Sequence, residues 1–483
     1  MDITFSRCLP YQIREHQPVN SRRKIQWSEG MKQVDYNSNQ ITKNILWTAL
    51  PMLVAQLFQL LYNIVDRIFI ARIPGVGTAA LGGVGLCFPV ITMITAFTNL
   101  YGSGGMPLFA IRRGMGEDEE AGRLMDTSFS LLLFTAGILM IIGWIFGEPI
   151  LRLLGASDAA LTYSLPYLRI YLIGTAFTML ASGMNPFITA QGFPGIGMMT
   201  VVIGAVGNLI LDPLFIFTLG LGIRGAAIAT VIAQGLSAAF VLWFLFGRRI
   251  AIRVHLFSLN AFFHNWKRAW NIVSLGLSSF VMMFTNSLVQ ISCNNVLAST
   301  GGDVYVSVMA IVSSIRQMVE LPVLAFAEGA TPTISYNYGA RRPQNVKKAM
   351  KVMAAMGVIY TLAAWGIISW QTHAFIRIFT SDHTILEDTA RGVRLYFFAF
   401  PFMTFQYCGQ TTFKALNKKK RAIFFSLFRK VVIVVPLTYM LPYVFHMGTD
   451  GVFLAEPVSN VIGGTACFVT MLLTILPELK RME

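Results

Sequence analysis

The sequence predicts an all-α polytopic membrane protein whose 12 transmembrane helices form two six-helix lobes related by a parallel internal repeat. Three observations support this fold class. The chain is 55% hydrophobic and only 13% charged, whereas soluble proteins carry about 25% charged residues. Its apolar residues occur in runs of roughly 20, the length that crosses about 30 Å of hydrocarbon as a helix. Motifs of the first half also recur in the second half.

Twelve apolar runs can be drawn along the chain. They are expected to be helices, because the strands of a membrane barrel would alternate apolar and polar residues over segments of about ten. The predicted spans cover residues 44–71, 79–110, 125–146, 164–189, 197–218, 224–246, 268–298, 305–335, 349–370, 391–415, 422–445 and 451–475.

The spans divide the chain into two lobes with polar segments around them. The predicted parts are an N-terminal tail (1–43), an N-lobe (44–246), an inter-lobe loop (247–267), a C-lobe (268–475) and a C-terminal tail (476–483). Residues 1–40 are polar and mixed, so we expect them to be disordered. Met31 is a natural start, which suggests that residues 1–30 are an upstream extension of the reading frame.

The formal net charge of +15 has two explanations. A basic protein can bind nucleic acid, or its cations can occupy cytoplasmic loops under the positive-inside rule. The cations cluster in every second gap between spans, except the gap between spans 4 and 5, which has none. This distribution favours the membrane explanation. It predicts a bacterial inner membrane protein with both termini in the cytoplasm. The clusters are Arg112, Arg113 and Arg123; Arg248, Arg249, Arg253, Lys267 and Arg268; Arg341, Arg342, Lys347 and Lys348; and Lys414, Lys418, Lys419, Lys420 and Arg421.

Six features of the first half recur in order in the second half, at a nearly constant offset in residue number. Single matches of glycine or proline arise by chance, but six in order do not. Each repeat holds six spans, so the halves share one orientation and are related by an axis along the membrane normal, an arrangement typical of transporters. The pairs are Gly77 and Gly302, Gly104-Gly-Met-Pro107 and Gly329-Ala-Thr-Pro332, Gly114 and Gly339, Ser157-Asp158 and Ser381-Asp382, Arg169-Ile-Tyr171 and Arg394-Leu-Tyr396, and Gly225 with Ala229 against Gly451 with Ala455.

Two carboxylates fall inside spans, where a charge costs about 2.5–3.5 kcal/mol on the insertion scale and therefore has a partner or a function. Asp66 lies in span 1. Asp212 lies in span 5, four residues after Asn208 and therefore on the same helix face. Their oxygens suit a proton or Na⁺. The alternatives are an ion pair between Asp66 and Arg67, which point about 100° apart on a helix, and an interfacial cap at Asp212.

Other polar residues within the spans are weaker candidates for cavity-lining or structural roles. Arg316 and Glu320, four apart, are expected to pair with each other. Glu456 could bind a cation or lie near the outer interface. The remaining members of this group are Asn63, Gln290, Arg429 and Lys430, of which the last two could snorkel or line a cavity.

No catalytic or metal-binding motif is evident. The five cysteines are scattered without CxxC spacing, and the six histidines show no ligand spacing. We therefore expect no enzymatic activity, no cofactor beyond a coupling ion, and no metal other than Na⁺ at the carboxylates.

The chain resembles the MATE (multidrug and toxic compound extrusion) family of the MOP flippase superfamily over residues 41–475. The likeness rests on Ala49-Leu-Pro-Met-Leu-Val54, on Tyr62-Asn-Ile-Val-Asp66, and on Gly207-Asn-Leu-Ile-Leu-Asp-Pro-Leu-Phe-Ile216 followed by Gly220-Leu-Gly-Ile-Arg-Gly-Ala-Ala-Ile-Ala-Thr230. These runs look like the DinF-like branch, in which Asp66, Asn208, Asp212 and Thr230 would form an N-lobe cation site.

The resemblance implies a monomeric exporter of cationic and amphipathic drugs that is driven by H⁺ or Na⁺ and works by alternating access. The NorM-like branch instead places acidic residues in spans 7 and 10, but neither span has one in its interior here, and Ile291 stands where the repeat matches Asp66. Coupling is therefore expected in the N-lobe alone. The alternative is a flippase for lipid or polysaccharide precursors, which would need Arg316, Arg429 and Lys430 in its central cleft.

Overall fold

The computed structural model describes residues 33–247, 250–255, 266–379 and 385–483. Throughout these ranges the regular structure is helical, with no strand. The predictions made for residues 1–32, for Arg248 and Arg249, and for the repeat pair at Ser381 and Asp382 fall outside the described residues.

The N-lobe contains six helical spans, and local sequence sets their ends. The first turn of α3 contains three acids, which favour a helix N-terminus. Ser157 caps α4 by accepting a hydrogen bond from the Ala160 amide at 3.3 Å. The spans are α1 (Ile41–Ala71), α2 (Gly77–Gly114), α3 (Asp118–Leu153), α4 (Asp158–Ile173 and Thr175–Ala190, broken at Gly174), α5 (Pro194–Thr218) and α6 (Gly222–Phe246).

The C-lobe begins with one run of helical hydrogen bonding, Trp266–Gly339, that is 74 residues long. Such a helix would extend about 110 Å, far more than a bilayer is thick. Gly302 divides it, because its φ of 73° and ψ of −172° reverse the chain direction. The spans are α7 (266–301), α8 (303–339), α9 (Pro343–Trp370), α10 (Leu386–Phe397, Phe400–Phe402 and Met403–Ala415), α11 (Lys419–Tyr443) and α12 (Gly448–Lys480); a short helix, Thr372–Arg377, follows α9.

Nine helices in the described part of the chain are long and apolar enough to cross a membrane. One of these is the 74-residue run that contains both α7 and α8. The interrupted spans α4 and α10 are not among the nine, because each consists of shorter pieces. The predicted fold class, with twelve spans in two lobes, is confirmed.

The repeat also appears in how the lobes touch. At the end of α2, a Cβ on Gly114 would lie 2.0 Å from the carbonyl oxygen of Tyr336 in α8. At the end of α8, a Cβ on Gly339 would lie 2.0 Å from the carbonyl oxygen of Ile111 in α2. Ile111 matches Tyr336 at the same offset that pairs Gly114 with Gly339. The two contacts are therefore related by a twofold pseudo-axis between the lobes.

Further contacts between the lobes lie toward the face where α1 begins and α12 ends, here called the terminal side. A Cβ on Gly276 of α7 would lie 1.8 Å from the Leu100 carbonyl oxygen of α2. Arg268 at the start of α7 donates two hydrogen bonds, of 2.7 and 3.0 Å, to Glu120 in α3. Backbones that approach this closely require glycine, so the two lobes pack tightly here.

The expectation of disorder up to residue 40 is wrong for residues 33–40, which form a strap across both lobes on the terminal side. The Tyr36 side chain is 4% exposed, and its hydroxyl donates to the Thr189 carbonyl oxygen of the N-lobe at 2.8 Å. The backbone carbonyl oxygen of Tyr36 accepts a hydrogen bond from the Asn337 side chain of the C-lobe at 3.2 Å. Most polar side chains of this segment are exposed, while hydrogen bonds made by Tyr36 join the segment to both lobes.

We expect Tyr36→Phe to lower the apparent melting temperature, because it leaves the buried Thr189 carbonyl oxygen without this donor, at a cost of about 1–3 kcal/mol. Fluorescence-monitored thermal unfolding of the purified protein would measure the change. Tyr439→Phe is the matched control, since that ring is 42% exposed. Equal melting temperatures for the two variants would show that the strap does not stabilise this arrangement of the lobes.

Candidate functional site

The N-lobe brings together the four residues predicted to form a cation site. Asp66 on α1 and Asp212 on α5 interact side chain to side chain. Asn208 donates to Asp212 Oδ1 at 3.1 Å and to Thr230 Oγ1 on α6 at 3.2 Å. The Thr230 hydroxyl donates in turn to the Ala226 carbonyl oxygen at 3.0 Å.

One oxygen of each carboxyl group lacks a protein partner. Asp66 Oδ1 and Asp212 Oδ2 are buried and accept no hydrogen bond from any described residue. Buried polar atoms are normally paired, so each exception calls for an explanation. Two carboxyl groups that face each other in a region of low dielectric repel strongly when both are charged. A proton or a small cation between them would remove both problems.

Neither alternative explanation of these acids fits their positions. The Arg67 guanidinium lies 4.6 Å from the centre of the Phe88 ring, so its charge acts on Asp66 without a direct ion pair between the two described side chains. Asp212 is fully buried, so it does not act as a cap at the membrane surface.

Three tyrosines surround the carboxyl groups, and the sequence analysis did not include them in the site. Tyr62 lies one turn before Asp66 on α1, and it interacts with both carboxyls. Tyr167 and Tyr171 of α4 stack at 6.3 Å between ring centroids, and Tyr167 also interacts with Asp66. Their common spacing of four on a helix was visible in the sequence, but the approach of α4 to α1 was not.

The C-lobe contains a second buried cluster, built around Glu456 on α12. Glu456 Oε1 accepts from Arg429 at 2.9 Å and from Lys430 at 2.7 Å, both on α11. Arg429 also donates to Asn460 Oδ1 at 2.7 Å. Arg429 and Lys430 are 8% and 4% exposed. They therefore do not snorkel to the membrane surface, and Glu456 does not lie at the outer interface.

Arg316 and Glu320 of α8 form the pair that their spacing predicts, with 2.6 Å between Arg316 Nη1 and Glu320 Oε2. The Tyr407 hydroxyl of α10 donates to the other Glu320 oxygen. Gln290 is exposed on α7 and donates to Asn294 Oδ1 at 3.0 Å. Asn63 is exposed on α1 and does not join the carboxyl pair.

Between the lobes, toward the terminal side, lies a cavity of about 240 Å³ that sequence reasoning missed. Gln56 of α1 donates to Glu328 Oε2 of α8 at 3.2 Å across it. Lys414, counted above among the loop cations, is instead inside α10, where it lines this cavity and donates to Ser279 Oγ at 3.0 Å. Glu328 and Lys414 carry opposite charges but lie on different helices, so no local spacing could have linked them.

We expect Glu456→Gln to reduce yield and thermal stability sharply. It leaves Arg429 and Lys430 buried without a counter-charge, and losing one partner of a buried ion pair costs about 3–5 kcal/mol. Lys430→Met is the comparison variant. It leaves Arg429 paired one to one with Glu456, so its loss of yield and thermal stability should be smaller. Size-exclusion profiles and melting temperatures would show which variant is less stable. A smaller loss of stability in Glu456→Gln than in Lys430→Met would contradict this account of the cluster.

Comparison with known proteins agrees with this architecture. The sequence model described as MatE matches residues 51–214 and again residues 278–440, so the two matches are separated by nearly the offset of the internal repeat. A transporter of the MOP superfamily from Pyrococcus furiosus superposes with a TM-score of 0.86 at 24% identity, covering 94% of this chain and all of the other. A structure of a multidrug resistance MATE family transporter in an outward-facing conformation superposes equally well.

Two relatives are similar in sequence over most of their length. One is named FAD transporter, from Shewanella oneidensis, with 23% identity over 89% of this chain and 94% of the relative. The other is named multidrug export protein MepA, from Staphylococcus haemolyticus, with 26% identity over 73% of this chain and 76% of the relative. The repeated family match, the twelve spans and the two lobes lead to one conclusion. The chain belongs to the MatE family of multi-pass membrane transporters.

Proposed function

We propose that the chain is a secondary active exporter that moves amphipathic and cationic small molecules out of the cell in exchange for H⁺ or Na⁺. The observation that carries this proposal is the facing pair Asp66 and Asp212, each with one buried oxygen that no described residue satisfies. Such a pair changes its free energy strongly when a proton or cation arrives.

Either coupling ion suits the chemistry of the site. A proton would let the two carboxyl groups share a hydrogen bond. Na⁺ would instead be coordinated by hard oxygen ligands, which are the carboxylate, amide and hydroxyl oxygens of Asp66, Asp212, Asn208 and Thr230. The ion drives transport only if it binds the two arrangements of the lobes with different affinity. Since α1, α5 and α6 meet at this site, a change in their packing would provide that difference.

The direction and substrate class follow from charge distribution and from relatives. Basic residues cluster on the terminal side, which supports a cytoplasmic position for that side in a bacterial inner membrane. Curated relatives named MepA are multidrug export proteins. The inter-lobe cavity is lined partly by the flexible apolar side chains of Met52, Met106 and Met198, which adapt to varied amphipathic molecules.

A flippase for lipid or polysaccharide precursors is the second candidate function, favoured by the cations of the C-lobe. Arg316 and Lys430 line a cavity there, but Arg429 does not, and it lies against Glu456 and Asn460. Glu320 and Glu456 offset two of the three cations. The remaining single positive charge is too small to neutralise a pyrophosphate head group. The exporter is therefore the better supported proposal.

The test is transport by purified protein in vesicles, with a cationic dye and with pH and Na⁺ gradients imposed separately. Dye movement that depends on one gradient identifies the coupling ion. Dye that moves at the same rate with neither gradient would refute secondary active export. Scrambling of a labelled lipid in the same vesicles, without dye movement, would favour the flippase.

A further inference from the structure

The C-lobe contains a cavity of about 30 Å³ at the position equivalent to the N-lobe carboxyl site. Residues of α7, α8, α10, α11 and α12 line it, and the repeat matches these helices to α1, α2, α4, α5 and α6. Tyr171 of the N-lobe site matches Tyr396 of the cavity, and Thr230 matches Glu456 at the same offset that pairs Gly225 with Gly451. The two sites are thus related by the pseudo-axis between the lobes.

The two equivalent sites carry opposite charge. The N-lobe site is built on two carboxyl groups. The C-lobe cluster has three cations, Arg316, Arg429 and Lys430, against the two carboxylates Glu320 and Glu456. A surplus of one positive charge therefore lies inside the lobe. Burying an uncompensated charge costs several kcal/mol, so this arrangement favours the arrival of an anion.

The hydrogen-bond donors that remain available belong to the two cations that line the cavity. Glu456 Oε1 is shared by Arg429 and Lys430, so Lys430 has one carboxylate oxygen for its three N–H groups. Arg316 Nε is buried and donates to no described residue. Both Glu320 oxygens are already occupied, one by Arg316 and one by Tyr407.

We infer that this cavity binds an oxyanion, a carboxylate or a phosphate group, carried by an amphipathic substrate. Lys430 and Arg316 would donate to its oxygens, and the exposed Asn286 and Gln290 mark the side from which it enters. The volume of about 30 Å³ is roughly two to three times the ~10–15 Å³ that a single water molecule needs, so it is enough for two or three oxygen atoms. It therefore holds the charged oxygens only, while the body of the substrate stays between the lobes.

This inference rests on the proposed function and adds a substrate class to it. A molecule with both a cationic and an anionic group would find complementary charge in both lobes: carboxyl groups in the first and surplus cations in the second. The N-lobe would then release the cationic group when its coupling ion binds.

Equilibrium binding to the purified protein tests the inference without requiring transport. Two matched pairs of fluorescent probes differ only in the oxyanion: riboflavin against riboflavin 5′-phosphate, and a rhodamine methyl ester against its free acid. In the unmodified protein we expect the oxyanion-bearing member of at least one pair to bind at least about tenfold more tightly, the gain from one charge-assisted hydrogen bond. The pair that shows this preference distinguishes phosphate from carboxylate.

Lys430→Met should abolish that preference while leaving the binding of the member without the oxyanion unaffected, and Lys430→Arg should retain it. Lys351→Met, an exposed lysine of α9, is the control for general loss of charge. Absence of preference in the unmodified protein, or equal weakening of both members by Lys430→Met, would overturn the inference. Probe preference in a protein that moves no dye would instead refute the proposed function and leave this site standing.

Discussion

Asp66→Asn is expected to remove most of the export driven by an ion gradient while leaving a folded protein that still binds dye. Asparagine has nearly the same shape as aspartate but takes up no proton and carries no charge, so Asp212 loses the facing carboxyl group. The ion would then no longer distinguish the two arrangements of the lobes. We expect the gradient-dependent rate to fall by about 100-fold, within the range of typical coupling free energies.

Dye efflux from vesicles, measured with and without the gradient, checks this expectation. Asp303→Asn is the matched control, because it removes an exposed carboxylate where α7 meets α8. Binding of the same dye to Asp66→Asn shows whether the variant is folded. Gradient-driven efflux at the unmodified rate would show that coupling does not depend on the N-lobe pair.

Much of this fold is predictable from sequence because a bilayer imposes length and polarity on every span. The apolar runs, the loop cations and the constant offset of the repeat together predict twelve helices in two parallel lobes. The sequence is less informative where breaks occur within a span. Residues 158–190 were predicted as one span from 164 to 189, but Gly174 interrupts the helix, and α10 is interrupted in the same way around Phe400–Phe402.

The candidate N-lobe site was predictable in part for a similar reason. A carboxylate inside a span is conspicuous, and the four-residue spacing of Asn208 and Asp212 places both on one face. The tyrosines around them were not predictable, since aromatic residues are common in membrane helices. Glu328 and Lys414 were missed because their relationship depends on how α8 and α10 pack, which no sequence spacing encodes.

Polar composition is a poor guide to structure at the N-terminus. Residues 33–40 lack the apolar run of a helix, so they were expected to be disordered. Their backbone and side chains instead form hydrogen bonds to both lobes, from the Val34 amide to the Gly192 carbonyl oxygen at 2.8 Å and from Arg342 to the Asn37 carbonyl oxygen at 2.6 Å. This strap and the glycine contacts together hold the lobes at the terminal side.

Those glycine contacts are also expected to influence the exchange between the two arrangements of the lobes. Gly276→Ala should disfavour the present arrangement, because even a methyl group would lie 1.8 Å from the Leu100 carbonyl oxygen. Overpacking of this kind costs about 1–3 kcal/mol, and about 3 kcal/mol changes a population ratio by more than about 100-fold. The lobes would therefore separate on the terminal side, and transport would slow because one of the two states becomes rare.

Distances between spin labels on Met115 and Lys348, at the terminal ends of α2 and α9, would report this separation. The cysteines at 87, 293, 408 and 467 are buried, so labelling is selective once Cys8 is replaced. Gly137→Ala in α3 is the control, since no atom lies within 4 Å of its added Cβ apart from its own helix backbone. A longer distance in Gly276→Ala alone would show that close backbone packing, and not only the coupling ion, sets which side of the transporter is closed. Unchanged distances would mean that these helices tolerate the methyl group by a local shift, and the glycine contacts would then have no part in choosing between the two states.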